Sequence, residues 1–255
     1  MGLLSFAVSG LALVALERVP RLRFRDAPFV RRFMGSDALH VVTGVGFGLL
    51  TGGLVLTAST ALGALGLPRL SAVPMPLALS VAPAIVVLDL GQYASHRMLH
   101  HFGALWEIHK VHHSPRALDW LAGYRSHVFE HALRRVVGPL GLVLLGAPAE
   151  AVAIAASILS AWAAFIHSNV DLHSRALELV LVTPRLHRVH HVPATTTRNF
   201  GAFLTVWDRL AGAFVAEPPP ADAALGVPAE LETYPQTWWA QLTEPIRRFV
   251  RPRGA

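Results

Sequence analysis

Fourteen histidines occur in 255 residues, and all but His40 fall between His96 and His191. Their spacing repeats. His96 and His100 lie four apart, His109 and His113 lie four apart with His112 between them, and His187 and His191 repeat that arrangement with His190. Residues three and four apart stack on one face of a helix, so each box can aim two or three imidazoles at a common point. A neutral imidazole offers one lone pair near neutral pH and suits iron, zinc, copper or nickel. Three such boxes hold more nitrogen donors than one metal accepts, so two metal ions are the economical expectation. The chain has no cysteine, which excludes thiolate zinc sites, iron–sulfur clusters, disulfides and thiol nucleophiles.

Other chemistries compete for the same residues. His127, Glu130 and His131 spell H-x-x-E-H, a zinc-hydrolase pattern, but a hydrolase built on that pair leaves His96, His109 and His187 unexplained. A carboxylate-bridged di-iron bundle wants Glu three residues before His, and no Glu here stands so. A bis-histidine haem needs only one or two pairs facing across spans, whereas these histidines lie beyond the spans. A non-catalytic metal carrier or transporter would spread ionisable groups through its spans; the run from Leu39 carries none beyond His40 at its start, and the one from Leu70 only Asp89 and Tyr93.

The elements that must position the boxes are membrane helices. Hydrophobic residues make up 53% of the chain and charged ones 15%, too apolar for an ordinary soluble domain of this length. Residues 2–17 are apolar, closed by Glu17 and Arg18, and without a basic leader or small-residue cleavage site, so a retained first helix is expected. A basic stretch follows (Arg18, Arg21, Arg23, Arg25, Arg31, Arg32), then an uncharged run from about Leu39 to Leu67 and, after Pro68 and Arg69, another from Leu70 to about Tyr93. A third apolar region, Val136 to Phe165, is broken at Gly146, Pro148 and Glu150 and suits a hairpin that enters and returns. The segment before Leu39, the region from His96 to Arg135 and everything after His167 are basic, while the turn near Arg69 is nearly bare, so the positive-inside rule assigns those basic segments to the cytoplasm. The net charge of +6 forms no polybasic run or aromatic-interleaved face, which argues against nucleic acid as a partner. After Ser168 the chain turns soluble in character, with Pro218, Pro219 and Pro220 marking a loop. The piece Thr237 to Val250, with Trp238 and Trp239 beside Arg247 and Arg248, suits a helix at the lipid surface or one packed on the body.

Taken together, the motifs resemble the fatty acid hydroxylase and sterol desaturase superfamily. Asp89, Tyr93, His96, Arg97 and His100 are similar to its D-x-x-x-Y-x-x-H-R-x-x-H box; Trp106, His109, His112, His113 and Ser114 to W-x-x-H-x-x-H-H-S; and Arg125, His127 and Glu130 to R-x-H-x-x-E. His167, Ser168 and Asn169 resemble its H-[SA]-N. Pro184, Arg185, His187, Arg188, His190 and His191 resemble P-R-x-H-R-x-H-H, and Asn199, Gly201, Trp207 and Asp208 match the closing N-[YF]-G and W-D elements. The resemblance runs from about Asp89 to Phe214. Ala211 and Ala213 stand where the family reads Phe and Thr, and Val128 where it usually has proline.

This resemblance implies an all-α, polytopic membrane helical bundle with a cytoplasmic, histidine-rich di-iron cap. Its parts would be N-terminal membrane helices (1–95), a catalytic region (96–215) with a hairpin at about 136–166, and a cytoplasmic tail (216–255). The expected ligands of two iron ions are His96, His100, His109, His112, His113, His187, His190 and His191, with His127 and His167 added. His101, His131 and His173 are either outer hydrogen-bonding partners or solvated. Asp89, Asn169, Asp171, Asn199 and Asp208 are candidates to orient the ligands. The implied chemistry takes O₂ and electrons from a separate reductase, ferredoxin or cytochrome to hydroxylate or desaturate a bilayer lipid. Arg97 or Arg125 are candidates to hold its head, and a bacterial inner membrane is the expected location.

Overall fold

The computed structural model describes residues 3–24, 28–66, 69–217, 219–220 and 223–250. Arg25 of the basic stretch, Leu67 and Pro68 after the first long apolar run, and Pro218 of the proline loop lie outside the described residues. Among the described residues the α-helices are α1 (Leu3–Leu16), α2 (Met34–Ala64), α3 (Leu77–His101), α4 (Gly103–His113), α5 (Val128–Leu144), α6 (Ala149–His167), α7 (Arg175–Glu178), α8 (Pro184–His191), α9 (Val206–Leu210) and α10 (Trp238–Val250). No β-strand forms among them, only isolated bridges between Arg23 and Val170 and between Leu181 and Leu204. The fold is the expected all-α bundle, and α2, α3 and α6 are long and apolar enough to cross a membrane.

Helix boundaries depart from the hydropathy pattern where local chemistry overrides it. α2 starts at Met34 rather than Leu39 because Asp37, in its first turn, is paired with Arg31 at 2.6 Å and with Arg125 and so sits fully buried. α3 starts at Leu77 rather than Leu70, since Pro74 and Pro76 hold the preceding backbone extended. It then runs through His96 to His101, which carries the first histidine box out of the apolar segment without a break. Phe102, at φ −94° and ψ 121°, ends α3 and caps α4 at once, so α4 departs directly from the end of α3.

Two connections meet at one end of the bundle: the backbone N–H groups of Leu70 and Ser71 donate to the carbonyls of Leu145 and Gly146, both at 3.0 Å. The turns α2–α3 and α5–α6 therefore lie together, and the start of α5 and the end of α6 lie with the histidines at the other end. α3 is the shared wall, packed on both α5 and α6. At Gly91 the backbone of α5 comes so near that a Cβ there would fall on the Cα of Gly138, so the pair of glycines sets the spacing of the two helices. Ala84, Leu88, Leu142 and Ala155 form the apolar core of this part. Outside it, Leu49, Leu50, Leu54 and Leu56 of α2 and Leu140 and Leu144 of α5 stand exposed, a surface suited to hydrocarbon rather than water.

The histidine end is closed by polar locks. Arg31 bridges Asp37 and Asp119, and Arg125 reaches Asp37, Ser114 Oγ at 3.1 Å and Gln236 Oε1 at 2.8 Å. Gln241 of α10 ties His40 Nε2 to Ser114 Oγ, both at 2.8 Å. α10 thus packs on the body, as one of the two sequence expectations had it, while Trp239, Phe249 and Val250 remain exposed on its outer side.

Candidate metal centre

Nine histidines converge in two groups. The first is His96 and His100 from α3, His109 and His113 from α4, and His190 from α8; the second is His112 from α4, His167 from α6, and His187 and His191 from α8. Within each group one ring nitrogen per residue lies within 4.8 Å of all the others. The boxes do not map one to one onto the groups. On α4, adjacent His112 and His113 point about 100° apart, so the His112-His113 doublet serves both groups; the His190-His191 doublet on α8 does the same. The groups abut, with the ring centroids of His113 and His191 4.7 Å apart.

Backbone and a buried carboxylate fix how the rings stand. Nδ1 donates to a carbonyl in His96 (Phe200 O, 2.7 Å), His112 (Arg125 O, 3.0 Å), His190 (Arg198 O, 2.8 Å) and His167 (Ala163 O, 2.6 Å). Nδ1 of His109 lies 3.0 Å from Oε2 of Glu130, whose Oε1 is 2.9 Å from Arg134 Nε. With Nδ1 protonated, Nε2 is left as a bare lone pair. Yet Nε2 of His96 faces Nε2 of His109 at 3.1 Å, and Nε2 of His112 faces Nε2 of His167 at 3.1 Å. Two lone pairs at that range repel unless a cation lies between them. Ligands about 2.1 Å from one metal and at right angles to it stand about 3.0 Å apart, so the donor sets fit a metal ion in each group.

Burial also holds the rings neutral. It pushes His109, His112, His113, His187 and His191 well below the ordinary imidazole range and His190 down to about 3, with neighbouring imidazoles adding to the effect. Both donor sets are all-nitrogen, a chemistry that suits iron, zinc, copper or nickel.

Several expected residues lie elsewhere. His127 is in neither group: its Nδ1 accepts from Phe129 N as the cap of α5 and its Nε2 donates to Leu242 O at 3.0 Å, so no lone pair remains for a metal. His131 stacks on Phe47 between α5 and α2, His101 is exposed, and His173 lies 3.8 Å from Glu178. Among the described residues no metal-capable group includes His127 or His131, which leaves the H-x-x-E-H pattern without a site. Of the orienting candidates, Asp208 accepts from Phe200 N and Gly201 N and so holds the carbonyl that His96 uses. Asp89 accepts from Trp207 Nε1 and Leu204 N, binding the same loop rather than a histidine. Asn199, at φ 49°, pins Leu186 O and Val215 O, Asn169 donates its N–H to Glu17, and Asp171 pairs with Arg185. Glu130 was legible in the hydrolase pattern and in the R-x-H-x-x-E element but not as a partner of His109, and Arg134 carried no signal beyond its charge. Gly123 leaves room for the second group, since a Cβ there would stand 2.5 Å from Cβ of His167.

Residues 81–213, more than half of the chain, match the family model described as fatty acid hydroxylase. The chain belongs to the fatty acid hydroxylase family. Its relatives include the ornithine lipid hydroxylase of Rhizobium tropici, 33% identical over 178 residues, which cover 69% of this chain and 53% of that protein. The human alkylglycerol monooxygenase is 31% identical over 137 residues, 52% of this chain and 30% of its own. A Delta(7)-sterol 5(6)-desaturase of Saccharomyces cerevisiae is 27% identical over 167 residues, covering 66% and 43%. The chain thus spans about half or less of the length of these curated relatives. No solved structure matches it. The family match takes in all nine grouped histidines, from His96 to His191.

Proposed function

We propose that this fatty acid hydroxylase family member holds two iron ions, one on each histidine group, and uses O₂ and electrons from a separate donor to hydroxylate or desaturate a C–H bond of a membrane lipid. The observation that carries this is the paired lone pairs: His96 against His109 and His112 against His167, with Nδ1 of His96, His112 and His167 committed to carbonyls and that of His109 3.0 Å from Glu130. When bound, the metal ions supply the O₂ activation and oxidising power that no side chain here possesses. The chain's own residues do the rest. Carbonyls of Phe200, Arg125, Arg198 and Ala163 hold the tautomers; Glu130 faces His109 Nδ1 at 3.0 Å; and the apolar helices α2, α3, α5 and α6 offer a lipid a dry approach to the histidine end.

The basic segments flank the histidine end, which supports a site on the cytoplasmic face of a bacterial inner membrane, with membrane helices to about residue 95, the catalytic region at 96–215 and the tail beyond. No cysteine and no dinucleotide fingerprint offers a redox relay within the chain, hence the separate donor. The relative with 33% identity is named for ornithine lipid, which makes that lipid the first substrate to assay. The test is metal analysis with Mössbauer spectroscopy on protein purified without oxygen, alongside mass spectrometry of lipids from cells with and without the gene. Two coupled irons per chain and a lipid changed by one oxygen or two hydrogens are expected. A single zinc, or a change confined to water-soluble metabolites, would overturn the assignment.

A further inference from the structure

A cavity of about 600 Å³ lies between α2, α3, α5 and α6 and ends at Arg134, whose partner Glu130 lies against His109; none of the nine grouped histidines lines it. Its far part is walled by apolar side chains such as Leu56, Leu142 and Val152; its near part carries Gln92, Arg134 and Arg135. From Arg134 to Val143 along α5 the lined stretch measures on the order of 15 Å. A slot of this size and lining fits the tail of a lipid.

At its polar end the charges are unevenly satisfied. Arg135 Nη2 donates to Gly44 O at 3.0 Å. Arg134 has only an ion-pair contact with Glu130, which also lies against His109, and its Nε and Nη2 are both buried without a hydrogen-bond partner. A guanidinium nitrogen withdrawn from water and left unpaired is costly, and a bound acceptor removes that cost. The arginines expected from the sequence to hold a lipid head are placed otherwise. Arg125 is buried and spent on Asp37, Ser114 and Gln236, while Arg97 is exposed over the rings of Tyr93 and Phe200.

We propose that Arg134 binds an acidic group, carboxylate or phosphate, on the head of the lipid whose tail fills this cavity. The substrate is then an acid-headed lipid, and the carbon oxidised lies near that head, because Arg134 reaches the first histidine group through Glu130 alone. This rests on the lipid-oxidation assignment above, but its test reads binding as well as turnover.

Purified protein in neutral detergent is titrated with amphiphiles of one tail length bearing a carboxylate, a phosphate monoester or a plain hydroxyl. The wild type is expected to bind one acid at least ten-fold tighter than the alcohol, and which acid is preferred identifies the head. Arg134→Gln should lose that preference while binding the alcohol as before; Arg134→Lys should keep part of it; Arg97→Gln should keep all of it. In turnover, tandem mass spectrometry should place the new oxygen or double bond within the head or the first carbons of the tail. Equal binding of acid and alcohol by the wild type, an undiminished preference in Arg134→Gln, or oxidation at the far end of the tail would each overturn the proposal. A preserved acid preference with no oxidised lipid would instead count against the oxygenase assignment and leave Arg134's role standing.

Discussion

At the scale of single residues, Glu130 has the most to reveal. It is fully buried, 3.0 Å from His109 Nδ1, and belongs to neither histidine group. Glu130→Gln is therefore expected to weaken metal retention about 10–100-fold with little loss of folded protein, measured as iron per chain after dialysis against a graded chelator series. Unchanged retention would reduce the contact to a packing detail. Gly123→Val should act on the second group, because its side chain must displace His167; a fall to one iron per chain with the first group intact is the expected result. Nine of the ten ligands expected from the sequence come together: those of the three boxes because close helical spacing declares a shared face without any knowledge of the fold, and His167 as the family resemblance implied. The division into five and four could not be foreseen, because it depends on which helix each face meets. Nor could the tautomer-fixing carbonyls, which are backbone atoms and leave no trace in side-chain identity.

At the scale of elements, the close approach of α3 and α5 is the sharpest constraint. Gly91→Leu forces the helices apart and is expected to cost about 1–3 kcal/mol or more, seen as a lower thermal midpoint in detergent with early loss of bound metal. The C-terminal tail is held differently. Arg248, with Lys110, keeps the Glu230 carboxyl down near 2 against an ordinary value of 4.5, with burial opposing. A depressed carboxyl stabilises docking at any pH above its ordinary value and loses that contribution as pH falls towards 2. Pepsin should therefore release the tail of the wild type increasingly between about pH 4.5 and 2, whereas Glu230→Gln should be cut readily already at pH 4. Hydropathy located the long helices well but misplaced their starts. Pro74 and Pro76 delayed α3, and the ion pairs of Asp37 allowed α2 to begin within a charged stretch.

At the scale of the whole molecule, the two turns joined by Leu70 and Leu145 lie at one end and the histidines at the other. Because the chain has no cysteine, single cysteines placed near Arg116 and Pro219 report sidedness cleanly. Both should be labelled from the cytoplasmic side alone; labelling of either from the opposite side would break the shared-compartment topology. The bundle, its spans and its crowded histidine end were readable from composition and pattern. The cavity was not, because it arises where four helices fail to meet, and no local segment encodes a gap.

The uneven origin of the two histidine groups sets an order of assembly. Four of the five members of the first come from His96 to His113, a stretch that folds on itself as soon as α3 and α4 are made. The second has His112 alone until α6 supplies His167 and α8 supplies His187 and His191, so it must close loops of many tens of residues before it exists. During synthesis the first group is nearly complete while the second is a lone side chain. A nascent chain stopped after α5 holds four of the first group's five histidines and only His112 of the second, so α8, which supplies His190 to one and His187 and His191 to the other, is the latch that completes both.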